Sequence, residues 1–402
     1  MITSKSKKMM QKTFRKTIYR FMEIPKAVFR GNFGIYIHVP FCYSVCSFCP
    51  FYKEIFSEDL KGQYLEAILK EIDNTDMQGK AKWIYFGGGT PNTLTTKDLS
   101  DIVERIRRKV QIDSIGIELL PTILKSDYLK ELKDIGFTKI SVGVESFSNN
   151  VASKTGRKIA KNEEMEKIIN LSRTLGLGTN VDMMVGLPDQ NPDTFREDIK
   201  KINALRPDQV TIYPFMILKG VKARPSIPSY EQFTLIEEAS EILRGSGYSR
   251  KNVWAFAIHD DLYDSSGDEL IEDYIGFGPG AFSTYGDSKI VNPELDVYVE
   301  NYRRGKNMKF IAYKSKASDE WRKFAKMIYE LKCNNHKNHL ASYIKLFMWI
   351  LKITGYSSQG MLTQKGIIFA HEITKAVVES LPLPIRNHNC IENYDEYISY
   401  KK

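Results

Sequence analysis

The chain runs to 402 residues, 42% of them hydrophobic and 27% charged, with a net charge of +9. That balance excludes a disordered chain and leaves room for more than one domain. Nine basic side chains and a single acid, Glu23, fall in the first thirty residues. The body is therefore nearly neutral, which argues against a nucleic-acid partner gripped along a basic groove.

The first predicted element is a basic amphipathic segment over residues 1–33. Met10, Phe14, Ile18 and Met22 recur at i+4 on one helical face among lysines and arginines. Such a helix can lie on an anionic membrane surface; a solvated tail, a helix packed on the body and an organelle transit peptide share the pattern. Six β-rich runs follow, at residues 34–39, 83–86, 114–119, 139–144, 179–184 and 209–213. Between them, Leu60, Tyr64, Ile68 and Ile72, then Leu99, Ile102, Val103 and Ile106, carry helical spacing. Leu129 with Leu132, and Met165 through Leu175, mark two further helices. Short strand–helix connections imply a parallel sheet. Six such units rather than eight predict an α/β fold, an open, partial (β/α)6 TIM-like barrel whose post-strand loops share one mouth. Past residue 215 the alternation weakens. A helix is predicted near 230–243, then a loop-rich region ending at 274–281, then mostly helical chain over 318–380 with a turn at 361–366.

The densest apolar run, 346–351, lies between Lys345 and Lys352 and falls far short of the roughly twenty residues a spanning helix needs. Residues 1–33 hold no secretory core. Five cysteines make no disulfide framework. Cys333 and Cys390 stand alone and read as buried, inert thiols, and a reducing, cytoplasmic compartment is expected. The other three form Cys42-x3-Cys46-x2-Cys49 directly after the first strand. Three thiolates on one loop can hold three irons of a 4Fe–4S cluster and leave the fourth open to a ligand. Zinc is the alternative and would want a fourth ligand in closed tetrahedral geometry. His38, on a strand before Cys42, is poorly placed to supply it.

Six segments stand in order around that loop: Tyr36-Ile-His-Val-Pro-Phe-Cys42, Gly87-Gly-Gly-Thr-Pro91, Glu118-Leu-Leu-Pro121, Ile140-Ser-Val-Gly-Val-Glu-Ser-Phe147, Val181-Asp-Met-Met-Val-Gly-Leu-Pro188 and Gly276-Phe-Gly-Pro-Gly-Ala281. Together they resemble the radical S-adenosylmethionine (SAM) superfamily. More narrowly, they resemble the branch of oxygen-independent coproporphyrinogen oxidases, haem chaperones and class C radical SAM methyltransferases. The resemblance implies Cys42, Cys46 and Cys49 as cluster ligands. It implies Gly88, Gly89 and Thr90 in the turn that holds the amino group of cluster-bound SAM, with Glu118 also in contact. Arg157 and Asp182 would serve a second SAM, with Glu145 where such relatives usually carry glutamine. Tyr36, Phe48 and Phe282 would line the two sites. No catalytic acid or base is assigned.

Each of these has a plainer reading from its own chemistry. A Gly-rich turn is often only a turn, Glu118 suits a solvated acid equally, and the aromatics suit a core. Asp182, inside an apolar strand, needs a partner of either kind.

Two departures separate the members of the branch. Phe51 stands where the oxidase type usually carries a further cysteine. In Lys251-Asn-Val-Trp254, lysine replaces the haem-ligating histidine of the chaperones. By elimination, the expected activity is that of a class C methyltransferase acting on an sp2 carbon of an aromatic or quinone substrate, menaquinone C8 in the specific case. Two SAM molecules would be used: a 5′-deoxyadenosyl radical from one abstracts hydrogen from the methyl of the other. An oxidase-like enzyme or a haem-binding and trafficking protein is the alternative. The expected partners are a one-electron reductant such as flavodoxin or ferredoxin, and a membrane surface met by residues 1–30 at the inner face. Three regions are expected: the basic segment at 1–33, the barrel with its extension at 34–290, and a mostly helical, winged-helix-like domain at 291–402 covering the mouth.

Overall fold

Strand and helix alternate along the computed structural model, which describes residues 8, 17–24, 28–259, 273–313, 316–333, 342–380, 384–385 and 388–401. Strand β1 (Arg20–Glu23) precedes β2 (Val28–Val39), β3 (Asp76–Gly88), β4 (Ile115–Leu119), β5 (Lys139–Glu145), β6 (Gly178–Val185) and β7 (Gln209–Pro214). Helices α1 (Glu58–Asn74), α2 (Thr96–Arg107), α3 (Ser126–Ile135), α4 (Asn162–Leu175) and α5 (Pro192–Leu205) join β2 through β7 in turn.

Local chemistry sets the helix ends. The Ser57 side chain accepts from the Leu60 N–H at the start of α1, and Glu58 and Asp59 follow where the helix dipole favours acids. Thr95 and Asp98 form a reciprocal capping box on α2. Gly136 and Gly176 close α3 and α4 in the left-handed region.

Strands β2 to β7 pair in parallel, each with the next in chain order. The six predicted strands are present and adjacent. Among the described residues the strand order is linear. It runs from β1 to the short β8 (Ser249–Arg250), which pairs with β9 (Ala255–Ala257) beside β7. Among the described residues no barrel closure is seen.

Alternation along these strands separates two faces. Ile35, Ile37, Ile84, Phe86, Ile117 and Val142 are buried in one core with the apolar residues of the helices. The intervening positions carry Tyr36, His38, Gly87, Glu118, Ser141, Gly143, Asn180, Asp182 and Thr211. Register lines these up across the sheet: Glu118, Ser141 and Asn180 in one row, Gly143, Asp182 and Thr211 in the next. The face turned away from the helices is polar.

Two expectations are corrected. Past residue 215 the chain is not merely helix and loop. After α6 (Ser229–Gly245), strand β10 (Tyr274–Phe277) pairs in parallel with β2 on the side away from β3. Antiparallel β11 (Phe282–Tyr285), β12 (Ser288–Val291) and β13 (Met308–Tyr313) then extend the sheet. The glycines that hide this strand from a periodicity reading are there for close approach: a Cβ on Gly276 would lie 2.1 Å from the Phe282 carbonyl oxygen.

The amphipathic helix does not run through Met22. Residues 20–23 form β1, antiparallel to β13, and Phe21 is buried against Phe310 and Tyr397. An apolar cluster that accepts alternate residues outweighs the i+4 pattern. Met10 and Phe14 lie outside the described residues.

The C-terminal region holds α7 (Leu295–Arg303), α8 (Lys316–Tyr329), α9 (Ser342–Ile353), a hairpin of β14 (Ser357–Ser358) and β15 (Met361–Leu362), α10 (Gln364–Val378) and α11 (Tyr394–Lys401). Trp321, Phe324, Ile344, Leu351 and Phe369 join the same core as Trp254 and Phe256.

Candidate active site at the carboxyl edge of the sheet

The cysteine loop leaves the carboxyl end of β2. Phe41 and Cys42 pair with Glu54 and Ile55, so the loop is pinned at both ends. His38 pins it again. Its Nε2–H donates to the Tyr52 carbonyl at 3.0 Å, and the Tyr36 hydroxyl donates to its Nδ1 at 3.2 Å. Burial holds His38 down at about 4, so the ring is neutral with both nitrogens engaged. It has no lone pair left for a metal, and the zinc reading loses its nearest fourth ligand.

The glycine turn fits against this clamp. A Cβ on Gly88, at φ +113°, would meet the His38 ring at 2.6 Å, and one on Gly89 would lie 2.6 Å from the Phe41 carbonyl oxygen. The Gly88 N–H donates to Glu118 at 3.3 Å. Glu118 is thus an acceptor at the strand ends and not only a solvated acid.

The three thiols gather here. Thr90 donates its hydroxyl to Cys42 Sγ at 3.5 Å, and the Arg157 guanidinium lies 3.9 Å from Cys46 Sγ. Burial pushes the Cys42 and Cys46 thiols up, and the neighbouring cysteines add to the rise. Three thiolates on one loop would need a cationic centre to share. Among the described residues, no three His, Cys, Asp or Glu side chains are placed to hold a single metal ion. A 4Fe–4S cluster asks for a different arrangement, one thiolate on each of several irons. Three soft donors on one loop, with hydrogen-bond donors on two sulfurs, fit that group.

Beside the thiols, β5 is bulged against β6 between Gly143 and Glu145, and Glu145 sits at φ +67°. Bulges re-aim side chains, and this carboxylate reaches 3.6 Å from Arg157, which itself donates to the Gly143 carbonyl at 2.5 Å. Burial pushes the Glu145 carboxyl up to about 7 against the pull of Arg157, and the charge of Asp182 adds to the rise. Asp182 has partners of its own, Ser141 at 2.5 Å and Asn180 at 2.9 Å. Thr211 continues the ladder to Asn180 at 2.9 Å.

An apolar wall completes the mouth. Phe48, Val151, Leu187, Phe215, Leu218 and Val221 cluster together, with Cys46, Cys49 and Val378 packed against them. Val378 ends α10. From that helix Lys375 donates to the Phe215 carbonyl, and Glu379 accepts from the Ile217 N–H at 2.8 Å. Helix α10 is tied to the loop after β7.

The expected residues Tyr36, Phe48, Gly88, Gly89, Thr90, Glu118, Glu145, Arg157, Asp182 and the three cysteines therefore share this edge. Phe282 packs instead with Phe21, Val291 and Phe310. Burial holds the Cys390 thiol up at about 11 and raises Cys333 as well, consistent with inert thiols. The sequence reading missed His38 as the clamp on the loop and the ladder Ser141–Asn180–Thr211. A polar residue at every second position of an apolar strand was the available signal.

A profile of the Radical SAM superfamily matches residues 36–202, the span from the His38 clamp to α5. Over those residues the chain is similar to the radical SAM superfamily. It is 28% identical to the oxygen-independent coproporphyrinogen III oxidase of Escherichia coli over 322 residues, 72% of this chain and 68% of that one. It is 28% identical to the heme chaperone HemW of Bacillus subtilis over 279 residues, 64% of this chain and 72% of that one. Against the Pseudomonas aeruginosa coproporphyrinogen III oxidase the match spans 62% of the relative's length. The solved E. coli coproporphyrinogen III oxidase superposes with a TM-score of 0.72 at 24% identity, covering 88% of this chain and 91% of the other. That structure bears on the fold. The relatives named here are oxidases and a haem chaperone, and they do not support the methyltransferase expectation over its alternative.

Proposed function

We propose that this protein is a radical SAM enzyme of the coproporphyrinogen oxidase type, cleaving SAM by one-electron reduction at a cluster held by Cys42, Cys46 and Cys49. Its substrate class would be a reduced tetrapyrrole, oxidised without oxygen. The observation that carries the reading is the cysteine loop clamped at the carboxyl edge of a sheet with a polar inner face, on a fold shared across most of both chains with a coproporphyrinogen oxidase. When bound, the cluster supplies the electron that breaks SAM into methionine and a 5′-deoxyadenosyl radical.

The chain's own residues do the rest. Thr90 and Arg157 donate towards Cys42 and Cys46, favouring the thiolates. Gly88 and Gly89 let the turn pack directly on the His38 ring and the Phe41 carbonyl, where a side chain would clash. Glu118 holds that turn through the Gly88 N–H. Phe48, Phe215 and Val378 exclude water from the mouth, where a carbon radical must be kept from side reactions. Glu145, Arg157 and Asp182 offer charged groups of both signs to whatever ligand lies beside the cluster.

A second reading, methyl transfer to a conjugated ring by way of two SAM molecules, is favoured by Phe51, which stands in place of the oxidases' further cysteine and is exposed on the loop. The haem-carrier reading is disfavoured by Lys251, whose ammonium is bound to Ser249 at the far edge of the sheet. Anaerobic turnover of the reconstituted protein with coproporphyrinogen III and methyl-labelled SAM separates the three. Oxidised tetrapyrrole with 5′-deoxyadenosine, the label remaining in methionine and absent from the tetrapyrrole, supports the oxidase. Equal yields of 5′-deoxyadenosine and S-adenosylhomocysteine would replace it with the methyltransferase. A stoichiometric Soret band on haem titration, without turnover, would replace it with a carrier.

A further inference from the structure

Helix α9 has two apolar faces where a helix packed on a globular core needs one. Ile344, Met348 and Leu351 are buried in the main core. On the opposite side Leu346, Trp349 and Ile353, spaced three and four apart and so on one stripe, are 57%, 56% and 59% exposed. Met361, on the hairpin that follows, is 50% exposed.

The polar chemistry around this stripe is of one sign. Ser342–Ile353 contains no acid, and its two charged residues, Lys345 and Lys352, are exposed at positions seven apart, hence on one flank. Neither is held in an ion pair with a described residue. The remaining excess of positive charge in the chain lies in its first thirty residues.

Leucine, isoleucine and an outward tryptophan edged by lysines match the interface of an anionic bilayer. There the indole sits at headgroup level, and lysines snorkel towards phosphate while their stems stay apolar. We infer that α9 is a membrane-surface helix, lying in the plane of an anionic phospholipid leaflet through Leu346, Trp349 and Ile353. Its contact is peripheral: among the described residues no helix is long and apolar enough to cross a membrane. A docking helix outside the mouth would bring the enzyme to a leaflet without occupying its active site, and the inference does not depend on which substrate the site takes.

The test uses the full chain, a variant lacking residues 1–16, and the triple variant Leu346→Ser, Trp349→Ser, Ile353→Ser. Each is sedimented with vesicles of phosphatidylglycerol and phosphatidylcholine, and with vesicles of phosphatidylcholine alone. The full chain and the truncated chain are expected to partition onto the anionic vesicles, and the triple variant to lose at least about tenfold in partitioning. Because the three side chains are exposed, its melting temperature should match the parent's. In the truncated parent, brominated lipid should quench fluorescence that the single variant Trp349→Phe lacks. Equal sedimentation of parent and triple variant would overturn the assignment, as would binding lost wholly with residues 1–16. A concentration-dependent dimer abolished by the triple substitution, with no vesicle binding, would reassign the face to a second copy of the chain.

Discussion

Two half-buried glutamates, each beside an arginine, behave in opposite ways. Glu145 and Glu237 have nearly the same side-chain exposure, 15% and 17%, so burial alone cannot distinguish them. Burial raises both. At Glu237 it is outweighed by hydrogen bonds from His371 at 2.9 Å and from two Arg250 nitrogens at 2.8 Å, which bring the carboxyl down to about 2. At Glu145 the single arginine stands off at 3.6 Å with Asp182 behind it, and the carboxyl rises to about 7. The count of hydrogen bonds to the charged form decides the sign. Glu237 locks α10 to α6 and to the β8–β9 edge, a structural task that rewards full satisfaction. Glu145, on a bulge at positive φ, is left short of partners beside the cysteine loop, where partial satisfaction leaves capacity for a ligand.

The sharpest test of the site half is Cys46→Ala. Reconstituted under anaerobic conditions, it should lose the iron–sulfur absorbance altogether; an intact spectrum with full iron content would refute the ligand assignment. On the structural half, Glu237→Ala strands Arg250 and His371 in the core and should cost about 3–5 kcal/mol in denaturant unfolding. Glu237's folded value is depressed, so its contribution is fully present above the ordinary carboxylate range and disappears as pH falls through about 2. The parent should therefore lose stability over that window more steeply than the variant, and parallel curves would show that the pairing is inert.

Glu145 carries the opposite sign. Its value is raised on folding, so its contribution holds below the ordinary carboxylate range and is lost as pH rises through about 7. In metal-free protein, Glu145→Gln should gain about 3 kcal/mol over the parent at pH 8 and almost nothing at pH 4. An equal difference at both values would erase the contrast with Glu237. The smallest effect is expected from Thr90→Val, which keeps the cluster but removes a donor to Cys42 Sγ. Its midpoint potential in a spectroscopically followed redox titration should fall by about tens of millivolts, and an unchanged potential would show that the hydroxyl does not act on the cluster.

Much of this was readable in one dimension. Strands 34–39 to 209–213 and their helices announce themselves because each buries a continuous apolar stripe and is closed by local chemistry such as Thr95–Asp98 or Gly176. The cysteine spacing names its own ligand type. Less legible was β10, where Gly276 inside the strand and Gly278 just after it serve close packing and erase the period-two signal. Met22 was misplaced because i+4 spacing and strand alternation both suit a short run of mixed residues. Glu145 could be flagged as a departure, but not assigned a charge state, since that depends on a bulge and on how near Arg157 comes.

The cysteine loop, the order of strand–helix units and the basic bias of the first thirty residues follow from residue type and spacing, because thiolate chemistry and hydrophobic periodicity are local properties. The pairing of β1 with β13, the engagement of both His38 nitrogens, the tie between α10 and the Phe215 loop, and the exposed second face of α9 do not. Each depends on which distant surface a segment meets, and burial and hydrogen-bond satisfaction are settled only once every partner is in place.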